Sequence, residues 1–200
     1  MPHFFMHDAR VIVQYADPLY LPLARITTPR TCAWAARNGW QYRFEEIPTH
    51  GPRHPYLHKY ALAARTMESA ASVLYLDVDI VPVRADDLPA FTTDLAVAQD
   101  AWGICCGALY FAGALGARTA RGLNDLLPDT LEHRREEQDM VDEILRLRHL
   151  RPHVTRLGEH LISNPVTPRE YPTPIFRHLW ANASLSAAEQ AAKALPPFKS

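Results

Sequence analysis

The sequence predicts an α/β fold: one domain with a mostly parallel central sheet flanked by helices. Three observations predict it. Strand-like and helix-like segments alternate through the first eighty residues, the order that builds parallel β-α-β units. The segment Ser72–Pro82 (Ser-Val-Leu-Tyr-Leu-Asp-Val-Asp-Ile-Val-Pro) opens on Val73, Leu74, Tyr75 and Leu76, apolar and β-prone as in a strand buried on both faces. A chain of 200 residues, 48% hydrophobic and 22% charged, is long enough to bury one core and has ordinary globular composition.

In chain order, Arg10–Ala16 reads as the first strand, ended by Asp17 and Pro18. Leu23–Asn38 reads as a helix with Ala24, Thr31 and Ala35 inward and Gly39 as its stop; Pro29 either starts this helix or kinks it. Trp40–Ile47 alternates apolar and polar residues and reads as the second strand, and Pro48–Pro55 as a loop. Tyr56–Ser69 is a helix, with Leu57, Tyr60, Ala61, Ala64 and Met67 on one stripe. The central strand follows, then a short connection over Ala85–Phe91. Leu95–Gln99 and Ile104–Ala112 are strands, and Ala117–Leu127 and Arg135–His149 are helices. Met140, Ile144 and Leu147 fall at helical spacing, and Leu145 and Leu150 widen that stripe. Thr155–Ser163 reads as holding a short strand, Asn164–Pro174 as a proline-rich loop and Ile175–Trp180 as a last strand. Ser184–Ala194 is a helix capped by Ser184 or Ser186, so the chain divides into a domain over 1–182 and a C-terminal helix or tail over 183–200.

Composition excludes several classes. A net charge of −1 provides no field for nucleic acid or an anionic membrane. Arg134, Arg135, Arg146, Arg148, Arg151 and Arg156 make one region locally basic and read as solvated helix faces. Cys32, Cys105 and Cys106 offer neither a disulfide framework nor metal-ligand spacing, which fits a reducing, cytoplasmic compartment. The first residues lack the basic start and apolar run of a signal peptide, and no run of about 18 apolar residues suggests a membrane span.

The chemistry gathers after the central strand. Residues i and i+2 of an extended chain point the same way, roughly 6–7 Å apart at Cα. Asp77 and Asp79 therefore leave the strand end on one side, where a hard cation that also binds phosphates finds oxygen ligands. In a parallel α/β sheet the carboxyl ends of the strands are where ligands bind. Two solvated turn carboxylates before Pro82 are the plainer reading of the same residues.

Further segments keep a characteristic order. Leu57-His58-Lys59-Tyr60 and a helix precede Asp77-Val78-Asp79. Asp86-Asp87-Leu88 follows, then Cys106-Gly107-Ala108-Leu109-Tyr110-Phe111, then Glu136-Glu137-Gln138-Asp139, then His178. Together, over about Arg10 to Asn182, they resemble the GT-A glycosyltransferases, nearest in pattern to the glycogenin-like and related retaining families. The resemblance implies a GT-A (Rossmann-like) domain and transfer of a sugar from a nucleoside-diphosphate donor, most often UDP-linked. It implies Mn²⁺ or Mg²⁺ held by Asp77, Asp79 and His178, a histidine ligand leaning toward Mn²⁺. Gln14, Tyr15, Ala16 and Asp17 would hold the nucleobase, with Tyr15 stacking on it or packing in the core. Val78, Cys106 and Gly107 would line the donor, and Lys59 would face a phosphate or a carboxylate. Glu137, Gln138 and Asp139 would form the catalytic segment. Inverting relatives carry an aspartate base where Gln138 stands, and an amide takes no proton, so the resemblance leans to retention with Asp139 as the alternative base.

The chain also departs from that pattern. Cys105 replaces a residue that is usually polar, and Leu179, Trp180, Ala181 and Asn182 follow His178 where a glycine and a lysine are usual, leaving Arg177 as a substitute cation. The acceptor is open among a glycan, a lipid-linked sugar, a protein, a small molecule and a modified nucleobase. The rival readings are a haloacid-dehalogenase-type phosphohydrolase, which also carries Asp-x-Asp after a strand, a non-catalytic nucleotide- or sugar-binding domain, and a nucleotidyltransferase. The first normally has its motif after the first strand of the domain, and the last has a glycine-rich N-terminal loop that this chain lacks.

Overall fold

The computed structural model describes residues 8–48, 53–100, 103–131, 134–158, 161–163, 174–179 and 184–197. The chain runs β1 (Arg10–Ala16), α1 (Leu21–Arg37), β2 (Gln41–Glu46), a 3-10 turn (Pro55–Leu57), α2 (His58–Met67), β3 (Ser72–Leu76) and β4 (Ile80–Pro82). It continues with β5 (Leu95–Asp100), β6 (Gly103–Ala112), α3 (Gly113–Leu126), α4 (Arg134–Leu147), β7 (Val154–Leu157), β8 (Ile162–Ser163), β9 (Phe176–His178) and α5 (Leu185–Lys193).

The main sheet has the order β2-β1-β3-β6-β5-β7. β1 is parallel to β2 and β3, β5 is parallel to β7, and β6 runs antiparallel to both β3 and β5, so five strands share one direction. The chain leaves β1 through α1 to reach β2 on one side, then returns through α2 to β3 on the other. Strand order reverses between β1 and β3, and this switch point opens a crevice at their carboxyl ends. A small sheet, β4-β9-β8, lies next to it, with Ile80 paired to His178.

Strand alternation sorts the core into layers. Val11, Val13, Tyr15, Val73 and Tyr75 face Leu57 and Tyr60 near α2, Leu123 of α3, and Val141 and Leu145 of α4. Ile12, Leu74 and Leu76 face Trp34 of α1 and Phe176 of β9. Each such buried large side chain contributes about 1.5–3 kcal/mol. A third cluster joins Ala16, Leu23, Val78, Val81 and Leu179 to Ala188, which seats α5 on α1.

Several boundaries differ from the sequence reading, each for a local reason. α1 starts at Leu21 because Pro22 suits a first helical turn, and Pro29 stays inside it. Pro29 and Arg25 are both exposed, so the Arg25 carbonyl that Pro29 leaves without its helical partner faces water. Gly39, at φ +70°, ends the helix, and Trp40 N–H reaches back to the Ala35 carbonyl at 2.8 Å. α3 begins at Gly113 rather than Ala117, because Gly113 at φ +57° turns the chain straight out of β6. The run Thr155–Ser163 is two strands in two sheets, separated by a turn at Gly158. The expected loop Asn164–Pro174 falls outside the described residues except for Pro174, as do Trp180, Ala181 and Asn182. No helix of the described residues is long and apolar enough to cross a membrane.

Candidate active site at the β1–β3 switch point

The crevice at the ends of β1 and β3 is a cleft with a cavity volume of about 50 Å³, lined among others by Tyr15, Ala16, Asp17, Lys59, Asp77, Val78 and Asp79. Two strands and α2 position these groups. β3 stops at Leu76, and the Asp77 N–H is pinned to the Gly107 carbonyl of β6 at 2.7 Å. The chain then turns, with Ile80 N–H on the Asp77 carbonyl at 2.9 Å, and enters β4. That turn sends the two carboxylates to different partners.

Asp79 goes to His178. Its Oδ2 lies 3.2 Å from His178 Nε2, and both side chains are buried. Pairing of β4 with β9 sets this contact, since Ile80 stands opposite His178 and Leu179 N–H bonds the Asp79 carbonyl at 2.7 Å. Asp77 instead faces the protein. Its Oδ1 accepts a short hydrogen bond from Tyr75 Oη and lies 3.6 Å from Lys59 Nζ. Gly107 is what lets the carboxylate sit there, because a Cβ on Gly107 would lie 3.0 Å from Asp77 Oδ2 and 3.1 Å from Ile80 Cδ1.

Lys59 is buried and its ammonium is fully committed. It donates to the Cys106 carbonyl at 3.2 Å and pairs with Glu137 Oε1 at 3.1 Å besides Asp77. Tyr60 Oη donates to the same Glu137 carboxylate at 2.7 Å. Burial alone would push the Lys59 ammonium down, but the nearby Asp77 and Glu137 carboxylates outweigh it and hold the pKa above the usual lysine value. Burial, reinforced by Asp77, pushes the Tyr75 hydroxyl well up, and burial reinforced by Glu137 does the same to the Cys106 thiol.

Some expected site residues stand elsewhere. Gln14 does not line the cleft. It lies on the sheet face opposite Tyr15, where its amide donates to the Asp77 carbonyl at 3.1 Å and accepts from Tyr42 Oη at 2.9 Å. There it braces the Asp77 carbonyl. Tyr15 does line the cleft, but its ring already packs on Tyr75 at 5.9 Å and against His58 at 5.1 Å, with its hydroxyl on the Pro55 carbonyl at 2.7 Å. Asp17 accepts from Tyr20 N–H at 3.0 Å and shapes the turn into α1. Asp139 lies about 200° around α4 from buried Glu137, on an outer groove with Met140 and Glu143, which removes it as a base for this cleft. Glu137 is buried behind Lys59 rather than in the cleft, and Gln138 is half-buried.

The residues were tested against the divalent cation that the resemblance implies. Among the described residues, no three of His, Cys, Asp and Glu gather into a metal-binding group. The donor chemistry nevertheless fits. Two cis ligands of one octahedral ion bound at about 2.0–2.1 Å stand about 3 Å apart, and Asp79 Oδ2 and His178 Nε2 stand 3.2 Å apart. Asp77, turned to Lys59, is the member outside the pair.

No family model and no curated protein matches the chain. Solved structures do. A glycosyltransferase involved in glycosylation of the major capsid of the virus PBCV-1 superposes with a TM-score of 0.70 at 16% identity, over 92% of this chain and 98% of that one. The chain has the GT-A fold. The glycosyltransferase GlyE of Streptococcus pneumoniae TIGR4 follows at a TM-score of 0.59 and 14% identity, over 96% of this chain and 66% of that one. A Drosophila β1,4-galactosyltransferase 7 mutant, in complex with manganese, UDP-Gal and xylobiose, matches at a TM-score of 0.51 and 12% identity, over 86% of this chain and 71% of that one.

Two further residues of this GT-A cleft, Tyr20 and Tyr56, escaped the sequence reading. Tyr20 sits in the turn after β1, and Tyr56, the first residue of a helix in the sequence reading, lies in the 3-10 turn ahead of α2. The available signal was position: an aromatic residue just after β1 and another just before α2, at the two lips of the switch point.

Proposed function

We propose that the chain is a metal-dependent glycosyltransferase that moves a sugar from a nucleoside-diphosphate donor, UDP-linked, to an acceptor hydroxyl with retention of anomeric configuration. One observation carries this reading: the buried Asp79–His178 pair at octahedral-edge spacing, whose Asp79 lines the switch-point cleft. The GT-A fold supports it, and so does the manganese and UDP-Gal bound by the Drosophila galactosyltransferase. Asp79 and His178 would hold Mn²⁺, with Asp77 as a third donor. The ion, when bound, supplies Lewis-acid stabilisation of the diphosphate leaving group. Tyr20, Tyr56 and Val78 would bound the nucleoside and exclude water from its face.

Retention is supported by what the acidic segment lacks. Glu137 is spent on Lys59 and Tyr60, and Asp139 faces away, so that segment offers the cleft no carboxylate base. The phosphohydrolase reading is disfavoured because Asp77, its would-be nucleophile, follows the third strand and is held by Tyr75 and Lys59.

The test is thermal melting of the wild type and Asp79→Ala with UDP or GDP, with and without Mn²⁺, followed by a donor-hydrolysis screen. At a hundredfold excess over Kd, a ligand adds about 2.7 kcal/mol, or about 5–10 °C for a chain of this size. The expected result is a UDP shift that requires Mn²⁺ and is lost in Asp79→Ala. A shift that Asp79→Ala leaves intact, or none with any nucleotide, would sink the proposal.

A further inference from the structure

Resting on that reading, we propose that Glu137 is a positioning residue that sets the cation affinity of the donor site: it holds the Lys59 ammonium toward α4 and so leaves Asp77 its negative charge. An ammonium has three donors. Those of Lys59 face the Cys106 carbonyl, Glu137 and Asp77, at 3.2, 3.1 and 3.6 Å. Glu137 is the nearer of the two carboxylates and is itself fixed by Tyr60 Oη at 2.7 Å. The Lys59 stem crosses Tyr75, with Nζ 5.3 Å from that ring centroid. So one buried cation lies between a buried carboxylate, Glu137, and a half-buried one, Asp77, and it cannot neutralise both.

The placement matters because of what Asp77 adjoins. Asp77 is joined to Asp79 by one residue, at the edge of the cleft. If Glu137 were uncharged, Lys59 would be drawn wholly to Asp77, and its charge would oppose a dication at Asp79 and His178. With Glu137 in place, the charges of Lys59, Glu137 and Asp77 sum to one negative, carried on the side of the cleft. Glu137 thus acts on the site through Lys59 without touching it. Such outer partners of a cation site commonly alter its affinity 10- to 100-fold.

The experiment measures Mn²⁺ affinity in the presence of UDP, by the electron paramagnetic signal of free Mn²⁺, together with ligand-free melting. Glu137→Gln is expected to weaken Mn²⁺ binding about tenfold. The double variant Glu137→Gln with Lys59→Met, which restores the charge balance, is expected to return to within about threefold of wild type. Glu137→Asp, with a carboxylate drawn back from Lys59, is expected to fall between wild type and Glu137→Gln, and serves if Glu137→Gln does not fold. Wild-type affinity in Glu137→Gln, a double variant as weak as Glu137→Gln, or a Glu137→Asp at least as tight as wild type would each overturn the inference while leaving the donor site standing. If the wild type holds neither Mn²⁺ nor UDP, the donor-site reading falls, and this inference falls with it.

Discussion

Lys59→Met removes the ammonium that faces the buried Glu137 carboxylate and the half-buried Asp77 carboxylate, and its cost can be worked from their surroundings. Methionine nearly matches the lysine stem in length, so packing against Tyr75 is kept and no large cavity opens. What changes is electrostatic. Glu137, 1% exposed, keeps Tyr60 Oη but loses its cation, and Asp77 keeps Tyr75 Oη but loses the nearby ammonium. Breaking a buried ion pair by removing one partner costs about 3–5 kcal/mol. At about 2–4 °C per kcal/mol for a chain of this length, the melting temperature should fall by about 6–20 °C. The assay is a melting curve without ligand at pH 8. A fall of under 2 °C at pH 8 would refute the view that Lys59 holds two charged carboxylates.

Gly107→Ala places a Cβ 3.0 Å from Asp77 Oδ2 and 3.1 Å from Ile80 Cδ1, so it should cost about 1–3 kcal/mol in melting and displace Asp77, weakening Mn²⁺–UDP binding measured by calorimetry. Burial holds the His58 imidazole below its ordinary 6.5, outweighing the nearby Glu45, so this residue's contribution to stability is full above about 6.5 and is lost as pH falls through the lowered folded pKa. His58→Gln should accordingly flatten the acid limb of a melting-temperature profile taken from pH 8 to pH 5. Ala188 is fully buried where α5 meets Val78 and Leu179, so Ala188→Asp should detach α5, cost about 2–4 kcal/mol as an unpaired buried charge, and weaken nucleotide binding by loosening Val78; unchanged melting would show that α5 does not seat there.

The fold was legible because its signals are local. The alternation of Val11, Val13 and Tyr15 against Ile12 and Ala16, and the unbroken apolar run of β3, each specify a strand without knowledge of the partner. Pairings across long separations left no such mark. β4 is three residues long, and its register against β9, almost a hundred residues later, is what joins Asp79 to His178. The sequence resemblance named both residues, but only tertiary pairing brings them to 3.2 Å. The same holds for Lys59. A lysine on an apolar helix face reads equally as a stem over the surface or as a site cation, and it is Glu137, brought in by α4, that decides its direction. Gln14 and Tyr15 were read as one unit at the strand end, although alternate residues of a strand necessarily face opposite sides of the sheet. Tyr20 and Tyr56 went unnoticed because a single aromatic residue in a turn or at the start of a helix carries no periodicity of its own.

The charge of the cleft bears on why a cation belongs to the proposed reaction at all. The charged groups lining it include Asp17, Asp77 and Asp79 against the single ammonium of Lys59, and that ammonium is already shared with Glu137. A diphosphate entering alone would meet carboxylates as near neighbours. At an effective dielectric constant of 20, each such like-charge pair at 4 Å costs about 4 kcal/mol. Lys59 offsets little of this, because its ammonium is already held by the Cys106 carbonyl and the Glu137 carboxylate behind the cleft. A diphosphate-binding reading without a cation is therefore the harder one to sustain, since it needs positive charge that the described cleft does not contain. A dication held by Asp79 and His178 would supply the missing positive charge and so reverse the sign of that interaction. The same excess of carboxylates that repels a bare diphosphate attracts the ion that would carry it, so Mn²⁺ and UDP should bind far more tightly together than either does alone.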